Sequence, residues 1–458
     1  MKFEKIVSKG ISSNSYFIAS SSEAAVIDPR RDVDIYLEYA QTHNVKITTI
    51  FDTHRNEDFV NGSPQLAFAT GAEIYHGHRL DFKYGNPVKE GNKFILGDLE
   101  FGILETPGHT PESISITVKT DSDPENPIMV CTGDALFAGD VGRIDFYRNE
   151  EKQLEAANWL YDSLFNKLLK LPEGTIVLPA HGAGSICGGG ISGLPFTTIG
   201  YEKRTNTPLQ LSKEEFIKYK SKEKFEIAPN MRYIEKFNLE GAPILKSKII
   251  PQALTVEEVK ELLDKEVQIV DIREPESFAG GHIPGTLSIW KNGLPNFALW
   301  MLDYEKPIVL VRSTHQELDQ SINYLIRLGF DNILGYLRGF RNWYMDGENY
   351  RETNVWSVHE LKKHLEDEDL YILDVRTGHS VKENGHIKGS HHIFLGNLPQ
   401  KLEEIPKGKK IAVYCDSGFK TFTGVSYLLK NKYKDVIGVF GSMSAWKNAG
   451  YPVEEEKK

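Results

Sequence analysis

The strongest constraint on this chain is an internal repeat. Asp271 and Asp374 stand 103 positions apart, and the same offset relates Arg273 to Arg376 and Trp343 to Trp446. The surroundings repeat as well. Thr255-Val256-Glu257-Glu258-Val259 opens an amphipathic helical pattern before VQIVDIREPESFAGGHIPG, and Ser357-Val358-His359-Glu360-Leu361 opens another before LYILDVRTGHSVKENGHIKG. Self-similarity at a fixed offset means two copies of one structural unit. Each copy reads as an apolar strand ending in Asp-x-Arg, a second apolar strand (KPIVLV or KKIAVY) and then a helix, which predicts an α/β unit with a central parallel sheet. Boundaries at 251–352 and 353–458 leave 1–250 as a separate unit. That division agrees with the 458-residue length at about 150 residues per domain.

The first 250 residues alternate short β-rich runs (SYFIAS, AAVID, ITTIFDT, LEFGILET, SISITV, PIMVCTGD, TIVLPAH) with helical patterns such as 151–171. Two sheets flanked by helices follow from that order. Mixed-charge, Lys-rich sequence from 212 to 250 reads as a connector or a closing helix. The net charge of -10 argues against a general nucleic-acid binder and for a small-molecule ligand. Three cysteines, Cys131, Cys187 and Cys415, are too few for a disulfide framework and point to a reducing compartment. No run of about 18 apolar residues is present, and the first residues carry no apolar leader core, so a cytoplasmic protein without a membrane span is expected.

Candidate metal ligands fall at strand ends, where loops present side chains from a rigid frame. Thr53-His54-Arg55-Asn56-Glu57-Asp58-Phe59 follows one apolar run, Pro107-Gly108-His109-Thr110 a second, Thr132-Gly133-Asp134 a third and Pro179-Ala180-His181-Gly182 a fourth. In these motifs the unit resembles the metallo-β-lactamase superfamily, whose ligand pattern is His-x-His-x-Asp-His, then the His of PGHT, the Asp of TGD and a later His. The resemblance implies an αββα sandwich. His54, Asp58, His109, Asp134 and His181 match the pattern, while Asn56 and Phe59 replace two of its histidines. A dinuclear zinc site of the glyoxalase II type is thereby depleted, since Phe59 cannot coordinate a metal. His54, His109 and Asp134 remain, two imidazoles and a carboxylate that suit one non-haem Fe(II) with open positions for oxygen and substrate.

The persulfide dioxygenase branch of the superfamily uses that subset, and the segments 139–146, 206–209 and 229–232 resemble it too. The resemblance implies that Arg143 and Asp145 anchor substrate or support the site, the alternative being an ordinary surface ion pair. It also implies that Asp58, His181 and Asn56 are outer hydrogen-bonding groups or remnants of a second metal site.

In the last unit Cys415-Asp416-Ser417-Gly418-Phe419-Lys420 joins the strand KKIAVY to a helix. A thiol there faces converging backbone N–H groups and the positive end of the helix dipole, which favour an attached anionic sulfur. Gly418 permits the tight curl. Both repeats resemble rhodanese sulfurtransferases, including the Gly-His-Ile-x-Gly segments at His282 and His386. Thr421 stands where phosphatase relatives carry an Arg, so sulfur is favoured over phosphate. Lys420 takes the place of the more usual Arg without its bidentate fork, and Asp416 beside the thiol opposes anion binding. In the first copy Arg312 occupies the position of Cys415, so a non-catalytic scaffold is expected. Cys187 lies in a Gly-rich loop near His181, either as a sulfur relay or as a spectator, and Cys131 sits within an apolar strand.

Taken together, these resemblances imply a cytoplasmic enzyme that oxidises a low-molecular-weight persulfide with oxygen at one Fe(II) per chain. The sulfite formed would be passed to thiosulfate through Cys415. Homo-oligomers are common among such fusions. Two alternatives stand beside this: a zinc-dependent thioester hydrolase, and a metal-free sulfur-carrier docking protein in which Cys415 alone is reactive.

Overall fold

The computed structural model describes every residue except 148, 186, 187, 225, 264, 314 and 456–458, with 315 and 316 described in backbone only. The chain divides into two compact units, Met1–Ser247 together with Ile326–Gly329, and Lys248–Leu325 with Phe330–Lys458.

The first unit contains two six-stranded sheets. One runs in sequence order through β1 (Lys2–Ser8), β2 (Ser13–Ser20), β3 (Glu23–Ile27), β4 (Lys46–Asp52), β5 (Glu73–Gly77) and β6 (Asn86–Val88). The other contains β7 (Lys93–Leu96), β8 (Leu99–Glu105), β9 (Ile114–Thr120), β10 (Met129–Gly133), β11 (Ile176–Pro179) and β12 (Thr197–Thr198), also neighbour to neighbour. Side chains alternate across each strand. In β2, Tyr16 and Ile18 enter the core between the sheets, while Phe17 and Ala19 enter an outer core with Tyr36 and Leu66 of flanking helices. In β10, Met129 and Cys131 point inward and Val130 faces Leu160 and Leu164 of the helix Glu150–Asn166. Helix, sheet, sheet and helix therefore stack as the αββα sandwich that the motifs imply, and Cys131 is a core residue.

Residues 212–250, which sequence pattern leaves as connector or closing helix, contain two helices. Lys213–Lys220 opens with a capping box between Ser212 and Glu215 and buries Phe216 in the outer core. Met231–Glu240 buries Met231, Ile234 and Asn238. Its mixed charges lie on the exposed face and mask the periodicity.

In the second unit the repeat becomes two sheets of identical topology. The first holds β13 (Gln252–Leu254), β14 (Gln268–Asp271), β15 (Leu287–Ser288), β16 (Ile308–Val311) and β17 (Ile333–Leu337), in the order β13-β17-β16-β14-β15. The second holds β18 (Asn354–Trp356), β19 (Leu370–Asp374), β20 (Ser390–His392), β21 (Lys410–Tyr414) and β22 (Val436–Val439), in the order β18-β22-β21-β19-β20. Every pairing in both is parallel. The helix Phe419–Lys430 of the second copy packs on β15 of the first, where Ser288 N–H donates to Ser426 Oγ at 2.9 Å.

The repeated Asp-x-Arg is a buried structural fork. Arg376 donates through Nε and Nη2 to the Asp374 carboxylate at 3.0 and 2.6 Å and through Nη2 to the Gly385 carbonyl at 2.7 Å. Arg273 does the same to Asp271 and to the Gly281 carbonyl at 2.8 Å. Both Asp374 and Arg376 are fully buried. Asp374→Ala strands the Arg376 charge inside the protein, and removing one partner of a buried pair typically costs about 3–5 kcal/mol. Denaturant unfolding should register a loss of that size, and a loss below about 1 kcal/mol would contradict the assignment. Among the described residues no helix is long and apolar enough to cross a membrane.

Candidate functional site

The loops after β4, β8, β10 and β11 bring His54, His109, Asp134 and His181 together, all of them buried. Each is oriented by a specific hydrogen bond. Thr53 donates both its N–H and its hydroxyl to the Asp28 carboxyl group, at 2.7 and 2.8 Å. Burial pushes the Asp28 carboxyl up to about 8; in its ionised form Thr53 Oγ1 has no proton left and accepts from His54 Nδ1 at 2.9 Å. His109 Nδ1 donates to the Arg143 carbonyl at 2.8 Å. In the neutral form of each ring Nε2 is then a bare lone pair, the form a metal ligand takes. Without a metal, burial would lower His109, but the Glu57 and Asp134 carboxylates outweigh it and raise the ring above the usual imidazole range. Asp134 Oδ1 lies 2.7 Å from His181 Nδ1, which leaves Oδ2 turned the other way.

The ligating atoms of His54, His109 and Asp134 all lie within 4.8 Å of one another. His54 Nε2 and His109 Nε2 stand 3.7 and 3.5 Å from Asp134 Oδ2, with the two rings edge to face at 5.2 Å. All three atoms are buried without a hydrogen-bond partner. Converging acceptors in a dry interior repel one another unless a cation sits among them, so these residues fit a metal ion. Burial pulls the His54 imidazole down to about 4, into the neutral form that ligates. Burial would raise Asp134, but the His181 and His54 rings outweigh it and hold the carboxyl well below its usual range.

The second constellation surrounds Cys415, fully buried at the end of β21. Gly418 takes φ +108° and turns its N–H onto the Cys415 sulfur at 3.1 Å, directly before the helix Phe419–Lys430. A side chain at that φ would be strained. Cys415 N–H donates to Ser442 Oγ at 3.1 Å, so the thiol's own backbone is pinned from the start of the helix Ser442–Asn448. Lys420 Nζ reaches Asp416 Oδ2 at 2.5 Å, and Ser380 donates to Asp416 Oδ1 at 2.5 Å. The Lys420 charge, which holds Asp416 below its usual range once the opposing effect of burial is overcome, is already paired inside the loop.

Residues 9–181 match the Metallo-beta-lactamase superfamily, and residues 255–346 and 357–449 each match the Rhodanese-like domain. The chain joins a metallo-beta-lactamase domain to two rhodanese-like domains. Its relatives include mouse persulfide dioxygenase ETHE1, 29% identical over 204 residues, or 43% of this chain and 71% of the relative. Hydroxyacylglutathione hydrolase GloC of Haemophilus influenzae is 28% identical over 205 residues, 40% of this chain and 85% of the relative. A crystal structure of a metallo-beta-lactamase from Staphylococcus aureus superposes with a TM-score of 0.65 at 28% identity, covering 74% of this chain and 98% of that one.

Within the metallo-beta-lactamase domain, Asp58 Oδ2 faces His181 Nε2 at 3.1 Å, and the Phe59 ring lies edge-on to His181 at 6.3 Å. Arg143 and Asp145 form a buried fork at 2.6 and 2.7 Å, with the guanidinium 4.2 Å over the Phe146 ring. An ordinary surface ion pair is thus excluded. Phe146 in turn packs edge-on to His109 at 5.5 Å. Asn56 donates from its side chain to Asn61 Oδ1 at 2.8 Å, within a network that holds the loop.

Four contributors are not singled out from the sequence as site residues. Asn238, from the helix Met231–Glu240, donates to the Asn56 and Phe59 carbonyls at 2.7 and 2.8 Å and accepts from Asn61 N–H at 2.7 Å. Asn206 donates to the Asp140 carbonyl at 3.0 Å and to Glu202 at 2.7 Å, bracing the loop that leads to Arg143. Ser442 steadies the rhodanese loop. Glu57, an unassigned position of the His-x-His-x-Asp-His pattern, is buried with Oε2 3.3 Å from His109 Nε2.

In the first rhodanese-like domain, Arg312 follows β16 where Cys415 follows β21, with its guanidinium 4.8 Å over the Tyr336 ring. From the same domain Trp290 packs on Phe419, the residue after Gly418, at 5.5 Å between rings. Cys187 lies outside the described residues.

Proposed function

We propose that the chain is a persulfide dioxygenase fused to a sulfurtransferase, with one Fe(II) held by His54, His109 and Asp134. The observation that carries this reading is the trio of buried, bare acceptor atoms on two imidazoles and one carboxylate. Bound there, the metal would supply a Lewis-acidic, redox-active point that accepts an anionic sulfur and oxygen side by side. The overall reaction is persulfide plus oxygen plus water giving thiol, sulfite and two protons. The Asp28–Thr53 pair and the Arg143 carbonyl set the imidazoles in their ligating tautomers. Asp145 holds the Arg143 fork, which positions the wall beside His109 and anchors the substrate's carrier. Asp58, His181 and Asn56 act from outside the ligand set: His181 steadies Asp134, Asp58 faces His181, and Asn56 shapes the loop.

In the second rhodanese-like domain Cys415 carries a sulfane sulfur. Gly418 shapes the cradle around it, while Asp416 and Lys420 set its charge. Sulfite attacks the outer sulfur of the Cys415 persulfide, the S–S bond breaks, thiosulfate leaves, and the cysteine thiolate is restored. The first rhodanese-like domain, with Arg312 at the position of the thiol, is a scaffold. We divide the chain functionally at 1–250, 251–352 and 353–458, place it in the cytoplasm, and assign Cys187 as a candidate relay.

Metal analysis combined with oxygen uptake on glutathione persulfide tests the reading. About one iron per chain and sulfite or thiosulfate formed in step with oxygen consumed are expected. Two zinc ions per chain with hydrolysis of an acylglutathione would replace it with the thioester hydrolase, and absence of metal uptake with the docking protein.

A further inference from the structure

We propose that Glu57 is a fourth protein donor to the metal, so that this centre is built from two histidines and two carboxylates. The inference rests on the metal-site reading above. Glu57 is 1% exposed, and neither carboxylate oxygen has a hydrogen-bond partner. Its Oε2 stands 3.3 Å from His109 Nε2, closer than Asp134 Oδ2 at 3.5 Å. His109 Nδ1 already donates to the Arg143 carbonyl, so in the neutral ring Nε2 and Oε2 are two acceptors face to face. Such a contact is unfavourable in a dry interior and becomes favourable when one cation is shared between them.

The spacing suits this. Metal–donor bonds of about 2.0–2.2 Å place neighbouring donors about 3–3.5 Å apart. The His109–Glu57 pair meets that spacing, and the His109–Asp134 and His54–Asp134 pairs exceed it by little. Glu57 lies outside the mutual 4.8 Å set of the other three, whereas opposite donors on one ion stand at most about 4.4 Å apart, so its carboxylate must turn toward the ion from its place beside His109 to bind. Its second oxygen lies 3.7 Å from Arg55 Nη2, whose backbone N–H is tied to Glu112 Oε1 at 2.7 Å, which holds the carboxylate from behind.

Asn56 donates its side-chain N–H to Asn61, and its backbone carbonyl accepts from Asn238, while its Oδ1 has no hydrogen-bond partner. Glu57, beside it, is the residue that offers an anionic donor close to His109. Two carboxylates would neutralise the charge of a divalent ion, and with the two imidazoles they would make four protein donors.

The test uses full-length Glu57→Gln and Glu57→Ala, with Co(II) as the probe metal. Replacing a group that only touches a ligand typically costs about 10–100-fold in metal affinity. For a donor, chelator competition should show a loss beyond about 100-fold, together with an altered visible spectrum of bound Co(II). Thermal melting of metal-free Glu57→Gln is compared with that of metal-free wild type, in which the carboxylate lies near Arg55 and His109. That comparison also reports whether the variant folds, and Glu57→Ala provides the same readings if Glu57→Gln does not fold. Wild-type affinity, or a reduced affinity with an unchanged Co(II) spectrum, would overturn the proposal. Failure of the dioxygenase reading is separable, because it appears as absent oxygen uptake in wild type whatever the Co(II) titrations give.

Discussion

Cys415→Ser lowers sulfane-sulfur transfer by about a thousandfold or more, the scale on which removal of a covalent nucleophile is felt. Oxygen uptake with persulfide and metal content remain at wild-type levels, because Cys415 and the residues that face it belong to the second unit while His54, His109 and Asp134 belong to the first. The product shifts from thiosulfate toward sulfite. The substitution removes one sulfur atom's reactivity and almost no volume, and its hydroxyl can accept the Gly418 N–H in place of the 3.1 Å contact to sulfur. Product analysis by anion chromatography checks the outcome. Thiosulfate output unchanged in the variant would sink the coupling of the two activities, leaving the dioxygenase reading intact.

Asp134→Ala removes the carboxylate that both imidazoles face. His54 Nε2 and His109 Nε2 keep their orientation from Thr53 and Arg143, yet without the carboxylate that both face they hold a divalent ion poorly, even with Glu57 beside His109. The lost group also accepts from His181 Nδ1 at 2.7 Å, so a second ring loses its anchor. Metal affinity should fall by more than about 100-fold, past the loss typical of an outer partner, and oxygen uptake with it. Sulfur transfer by Cys415 should persist and serves as the internal control for folding of the other unit. Iron retained at wild-type stoichiometry after dialysis against a chelator would remove Asp134 from the ligand set.

Much of this architecture is legible in the residues. The offset between Asp271 and Asp374 becomes two sheets with one strand order, because a repeated apolar pattern must bury the same faces twice. The strand-end positions of His54, His109 and Asp134 predict convergence, since strands of a sandwich deliver their ends to common edges. Glu57 is hidden for a physical reason: in the run His-Arg-Asn-Glu-Asp it looks like part of a solvated loop, and only the folded chain shows it 1% exposed against His109. Arg143 and Asp145 leave burial undecided in the same way, because an ion pair two residues apart is equally at home on a surface. Asn238 is more remote still, a polar residue in a helix whose bonds go to carbonyls nearly 180 positions earlier. Periodicity reports which face of an element is apolar and is silent on where a buried amide spends its hydrogen bonds.

That amide changes what counts as the domain. The superfamily match stops at residue 181, where the last motif histidine has been read. The loop carrying His54, Asn56, Glu57 and Phe59 is nevertheless fastened from beyond that limit, by Asn238 on the helix Met231–Glu240. A shortened chain ending soon after the motif would keep both sheets except the edge strand β12 and lose the clasp on one wall of the metal pocket. The smallest piece that preserves the centre is therefore set by a hydrogen-bond circuit and not by the extent of sequence likeness.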